Sequence, residues 1–192
     1  LTFPSVATMV QERLGMTTGF AYDVQAVCAG FVFALANANG MILSGQAERV
    51  LVIGAETFSR ILDWTDRGTC VLFGDGAGAL VLEATTGDGL PGDRGILAVD
   101  LHSDGRYRDI LYVDGGVATT GTAGVLKMQG KEVFRQAVEK LAETAHTALA
   151  KAGLEAQDVD WIVPHQANLR IIKATAQRMG LPMEKVVVTV QD

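Results

Sequence analysis

Cationic clusters and cysteine are scarce in this sequence, and each scarcity removes a class of function. The 16 lysines and arginines are outnumbered by 22 acids, for a net charge of -6. Neither a basic stripe nor a basic tail is present, which argues against a nucleic-acid backbone as partner, since that needs a clustered cationic face. Two cysteines, Cys28 and Cys70, make no disulfide framework, and neither belongs to a C-x-x-C pair of the zinc or dithiol kind. A reduced, cytoplasmic compartment is the expectation. Three histidines, at 102, 146 and 165, stand at no spacing from the acids that matches a metal site, so no metal is expected. The chain opens Leu-Thr-Phe-Pro, with no basic region ahead of an apolar run, and no signal peptide is expected.

Apolar residue types, by contrast, are abundant, at 48% of 192 residues, which suits a buried α/β core of one domain or two small ones. Residues 24–47 carry no charge and would be long enough to span a bilayer, but Gln25, Asn37, Asn39, Ser44 and Gln46 interrupt them. A buried core helix, not a membrane span, is expected there.

The pattern predicts a helix over 5–14 ending at Gly15, a buried strand over 19–27 running into Cys28, and a helix over 28–43 packed on every side. Strands are predicted over 49–55, 71–73, 78–83, 95–101, 160–163 and 186–190. The run at 49–55 reads as a strand covered on both faces. Phe134, Val138, Leu141, Ala145 and Leu149 recur at helical spacing, and a further helix is predicted over 169–179. Gly, Asp, Thr and Pro crowd residues 85–94, which predicts an internal boundary, and strand-helix-strand recurs around Cys28 and around His165.

Two residues stand where chemistry is commonly presented. A cysteine between a strand and a helix lies near unpaired N–H groups and the positive end of the helix dipole, a setting that favours a thiolate; a nucleophile and an inert buried cysteine both fit Cys28. His165 follows a strand end and precedes a helix, where a catalytic and a structural histidine both fit. Cys70 reads as core, His146 as a solvated flank and His102 as a turn residue. The glycines of Phe73-Gly74-Asp75-Gly76-Ala77-Gly78 read as a tight turn with close packing; the P-loop lysine is absent and a strand follows, which disfavours nucleotide binding.

Four segments together carry a resemblance: Ala26-Val27-Cys28-Ala29-Gly30-Phe31, Asp66-Arg67-Gly68-Thr69, Phe73-Gly74-Asp75-Gly76-Ala77-Gly78, and Val163-Pro164-His165-Gln166-Ala167-Asn168-Leu169-Arg170-Ile171-Ile172. They resemble, in order, the signature segments of the 3-oxoacyl-[acyl-carrier-protein] synthase III family. The resemblance implies an α/β thiolase-like fold of five layers, αβαβα, incomplete here, with one half over 1–84 carrying the nucleophile and the other over 95–192 carrying the histidine. It implies a cytoplasmic homodimer that joins an acyl-CoA primer, acetyl-CoA above all, to malonyl-acyl-carrier protein by decarboxylative Claisen condensation, starting fatty-acid synthesis. Coenzyme A thioesters and acyl carrier protein are then substrate and partner, and no cofactor is implied. By the same resemblance Cys28 is the acyl-accepting nucleophile and His165 a hydrogen-bond donor to the malonyl thioester. Arg67 and Arg170 stand at the pantetheine tunnel mouth, Leu72, Leu111, Met128 and Phe134 line the acyl pocket, and Phe3 reaches across the dimer.

Other readings are a secondary-metabolism paralogue with another primer, a non-catalytic partner subunit, and an unrelated cysteine hydrolase. The family's second donor, an asparagine, belongs to a segment following residue 192, and Asn168 is not that residue. Lys131 stands where some relatives carry asparagine. The 192 residues alone are expected not to turn over, because open sheet edges strand polar groups at about 1–3 kcal/mol each.

Overall fold

The computed structural model describes residues 3–190, which form an α/β chain of four helices and four strands among the described residues. Contacts divide it into two compact units, Leu1–Val52 with Leu80–Glu83, and Ile53–Ala79 with Ala84–Asp192.

In the first unit, α1 (Val6–Arg13) starts where the Ser5 side chain accepts from the Thr8 N–H, and Asp23 accepts from the N–H groups of Val6 and Ala7 at 3.0 and 2.8 Å. The carboxylate serves orphan donors at the positive end of the helix and ties the segment before Cys28 to α1. Gly15, at φ 67°, ends the helix in the left-handed conformation that glycine adopts without penalty. α2 (Gly30–Leu43) closes before Gly45 at φ 71°. Arg49 and Glu83, both in this unit, meet Nε to Oε1 at 2.7 Å; they are the ends of β1 (Arg49–Glu56) and β2 (Gly76–Glu83), which pair and whose residues are divided between the units.

In the second unit, β3 (Leu111–Val113) and β4 (Leu126–Met128) run antiparallel with Leu111 opposite Met128 and Val113 opposite Leu126. Their connecting loop crosses itself so closely that a Cβ on Gly124, at φ 69°, would lie 2.2 Å from the Gly115 nitrogen. α3 (Gly130–Lys151) and α4 (Leu169–Arg178) pack together. Ala142, Met179 and Leu181 form one buried cluster, and Ile172, Ala176 and Val186 another, with Ile162 against both. Ile162 and Val186 also form a parallel bridge.

The predicted helices over 5–14 and 169–179 and the Phe134 to Leu149 stripe correspond to α1, α4 and α3. Several expectations are corrected. Residues 19–27, 71–73 and 95–101 are not strands, and over 160–163 and 186–190 pairing shrinks to the single bridge at Ile162. A strand exists only where a neighbour completes its ladder, and no other described segment does so there. α2 buries only Ala38, and β1 only Val52. Both are mostly apolar, yet their other residues are half-buried or exposed. Cys70 is half-buried instead of core. Gly74, Gly76 and Gly78 have no positive φ and open space at their Cα atoms, so no turn or close packing accounts for them in this chain.

Asp100 joins the second unit's irregular segment to the end of α3. Its side chain is almost fully buried, at 4% exposure, and accepts from Lys151 Nζ and His102 Nε2, each at 2.7 Å. These bonds, that from Lys151 foremost, hold the Asp100 carboxyl below the ordinary carboxylate range. A carboxyl depressed on folding contributes stability above its unfolded pKa of about 3.9 and loses that contribution as pH falls through the folded value. Lys151→Met is therefore expected to lower the urea midpoint at pH 7 and to converge with the parent as the pH drops below about 4; parallel midpoints at both pH values would contradict this.

Candidate active site

Cys28 belongs to the first unit and lies in the 3-10 turn Val27–Ala29 that leads into α2, its side chain exposed. α2 begins at Gly30 with Ala29 as its cap residue and no side-chain cap bond, so its first N–H groups are left to other acceptors. Val27, directly before the cysteine, is the one non-glycine residue held at positive φ, 50°, among the described residues. For a β-branched side chain that conformation is strained by about 1–3 kcal/mol, and such strain collects at functional sites. The pattern of residue types did not reveal it, because valine normally signals extended backbone.

His165 belongs to the second unit and is exposed on the loop between the Ile162 bridge and α4. Two amide residues that follow it fix that loop. Gln166 Nε2 donates to the carbonyls of Pro164 and Val187 at 3.1 and 3.0 Å, while its Oε1 accepts from the N–H groups of Thr189 and Val190 at 2.8 and 3.2 Å. Asn168 caps α4, accepting from the Ile171 N–H at 2.9 Å. Gln166 was quoted in the sequence only as part of a motif; its role as the bridge between the histidine loop and residues 187–190 emerges from the fold.

The remaining candidates in the second unit fall into separate groups. Arg67 is exposed on a turn held by Asp66, which accepts from the Gly68 N–H at 2.9 Å and from the buried Thr69 hydroxyl at 2.8 Å. Leu72, 43% exposed, follows that turn, and beyond it Phe73 stacks on Phe58 with centroids 4.7 Å apart. Asp75 accepts from the Ser59 N–H and hydroxyl, both at 2.7 Å, and these bonds lower its pKa. Leu111 and Met128 face each other across β3 and β4. Phe134 lies under the guanidinium of Arg170, 5.6 Å from Cζ to ring centroid. Phe3, in the first unit, is fully exposed. Among the described residues there is no cluster of three His, Cys, Asp or Glu that could hold a metal ion, and no helix is long and apolar enough to cross a membrane.

Comparison with known proteins places this geometry. The chain superposes over its whole length on the crystal structure of 3-oxoacyl-[acyl-carrier-protein] synthase III from Aquifex aeolicus VF5, with a TM-score of 0.90, 41% identity and 58% of that chain covered. Beta-ketoacyl-[acyl-carrier-protein] synthase III of Rhodobacter capsulatus is 78% identical over 191 residues, and that of Dinoroseobacter shibae 78% over 192; each match takes in the whole chain and 59% of the relative. Residues 22–105 match the family described as 3-oxoacyl-[acyl-carrier-protein (ACP)] synthase III, and residues 149–192 its C-terminal counterpart. An α/β chain with an exposed cysteine opening one helix and an exposed histidine ahead of another, superposing in this way, is a thiolase-fold protein. Within that class the chain belongs to the 3-oxoacyl-[acyl-carrier-protein] synthase III family, and it spans 59% of the length of these curated relatives.

Gln166→Ala strands two carbonyls and two N–H groups, and the expected cost is about 1–3 kcal/mol. Hydrogen exchange is expected to accelerate at Thr189 and Val190 while α1 is unaffected; unchanged exchange at both amides would show that Gln166 does not hold the loop.

Proposed function

We propose that the complete protein condenses an acyl-CoA primer, acetyl-CoA foremost, with malonyl-acyl-carrier protein through an acyl-cysteine on Cys28, opening a round of fatty-acid synthesis. The observation that carries this reading is the exposed Cys28 on a strained turn at the start of α2, within the segment matching the synthase III family.

In the first half-reaction the Cys28 sulfur attacks the primer carbonyl, the new C–S bond forms, and coenzyme A departs as a thiolate that takes up a proton. The positive end of α2 favours negative charge at that sulfur, and the Cys28 backbone N–H is assigned to the oxyanion hole by likeness to the family. In the second, CO₂ leaves the malonyl group and its bonding pair becomes an enolate. The His165 imidazole donates a hydrogen bond to the enolate oxygen, which a neutral ring does without carrying charge. The carbanion then attacks the acyl-cysteine and expels the Cys28 thiolate, releasing 3-oxoacyl-carrier protein. Arg67 and Arg170 are assigned to coenzyme A or the acidic carrier protein at the tunnel mouth, Leu72, Leu111, Met128 and Phe134, by likeness to the family, to the acyl pocket, and Phe3 to the partner's pocket in a homodimer. The halves over 1–84 and 95–192, a cytoplasmic location and the absence of any cofactor complete the proposal.

Intact-mass spectrometry of the complete protein after exposure to a panel of acyl-CoAs tests it. An adduct is expected on the parent and on His165→Ala but not on Cys28→Ala, and with malonyl-acyl-carrier protein only the parent adduct is expected to be consumed. No adduct with any acyl-CoA would remove the priming function.

A further inference from the structure

Four of the ten arginines are held by carboxylates. Arg49, Arg106, Arg108 and Arg135 each pair with a carboxylate, at 2.7, 2.6, 3.3 and 2.6 Å, so their charges are locally neutralised, and Arg106 also lies over the Tyr107 ring. Arg170 forms no ion pair or hydrogen bond with its side chain among the described residues; the partner of its guanidinium is the Phe134 ring. It also stands in the first turn of α4, where the helix dipole disfavours a cation, and no acid shares that turn. A ring immobilises a guanidinium without cancelling its charge or occupying its N–H donors, whereas a carboxylate does both.

We propose that Phe134 is a positioning residue for Arg170: the ring at 5.6 Å holds the guanidinium in place, uncompensated, to receive the phosphate of a pantetheine carrier. This departs from the acyl-pocket position that the family resemblance gives Phe134, and it rests on the reading of Arg170 as a carrier contact. Phe134 is half-buried on α3 and Arg170 exposed on α4, and the two helices pack together, so the ring is anchored by the core while the arginine meets solvent. The phosphate is common to coenzyme A and to the carrier protein's prosthetic arm.

The test is steady-state kinetics of the complete protein, varying acetyl-CoA and malonyl-acyl-carrier protein in turn, for Phe134→Leu, Phe134→Tyr, Arg170→Ala and the Phe134→Leu/Arg170→Ala double variant. Phe134→Leu is expected to raise one KM roughly two- to fivefold with little change in kcat, the size of an exposed cation-π contact. Phe134→Tyr, which keeps the ring, is expected to retain the parental KM. In the Arg170→Ala background Phe134→Leu is expected to add nothing. The KM that rises names the carrier. If Arg170→Ala raises a KM and Phe134→Leu does not, or if Phe134→Leu still acts without Arg170, the positioning role is overturned while the carrier reading stands. If Arg170→Ala leaves both KM values unchanged, the carrier reading itself fails. Should Phe134→Leu not fold, Phe134→Tyr carries the test, and a raised KM in that variant overturns the proposal.

Discussion

Burial of one face of α4 is the interaction on which the second unit depends. Ile171, Ile172, Thr175 and Ala176 are buried, and Ile172 is 1% exposed. Each fully buried aliphatic side chain of this size contributes about 1.5–3 kcal/mol relative to exposure. The same face meets Ile162 and Val186, so one apolar contact sets both the direction of α4 and the parallel bridge between the segments on either side of it. His165 lies between Ile162 and α4, and its place is a consequence of that packing.

Hydrophobic contact fixes where the helix lies but not the path of the loop before it, and two neutral amides settle the loop. An amide side chain both donates and accepts at fixed geometry, which a carboxylate or an ammonium does not. Gln166 uses both ends, reaching carbonyls at 164 and 187 and N–H groups at 189 and 190. Asn168 uses its oxygen to close α4. The histidine just before these residues is presented to solvent by the loop they fix. In the first unit Asp23 serves a similar end, binding the N-terminus of α1 from the segment that leads to Cys28.

What was legible in the residues follows the range of the forces involved. Helical stripes and the stop at Gly15 read correctly, because 3.6-residue periodicity and left-handed glycine are local properties. Strands read poorly: 49–55 and 78–83 lie within β1 and β2, whereas 71–73 and 95–101 have the composition of strands without a partner. Pairing depends on a second segment, and composition does not report it. The candidate residues were legible one at a time, Cys28 from its place ahead of a helix and His165 from the motif around it. Their supports were not: the strain at Val27, the Gln166 bridge and the ring beneath Arg170 each involve backbone angles or sequence-distant neighbours.

The sequence by itself determined the α/β character, the positions of α1, α3 and α4, the candidate nucleophile and histidine, and through four motifs the family. Only the tertiary structure decided which apolar runs became paired strands, which side chains hold the histidine loop, and which arginines remain uncompensated. Local torsion preferences and apolar spacing are written within a turn or two of chain. Hydrogen-bond closure, strain and charge neutralisation depend on groups brought together from far apart, such as Gln166 with Val187 and Phe134 with Arg170, and these meet only when the core forms.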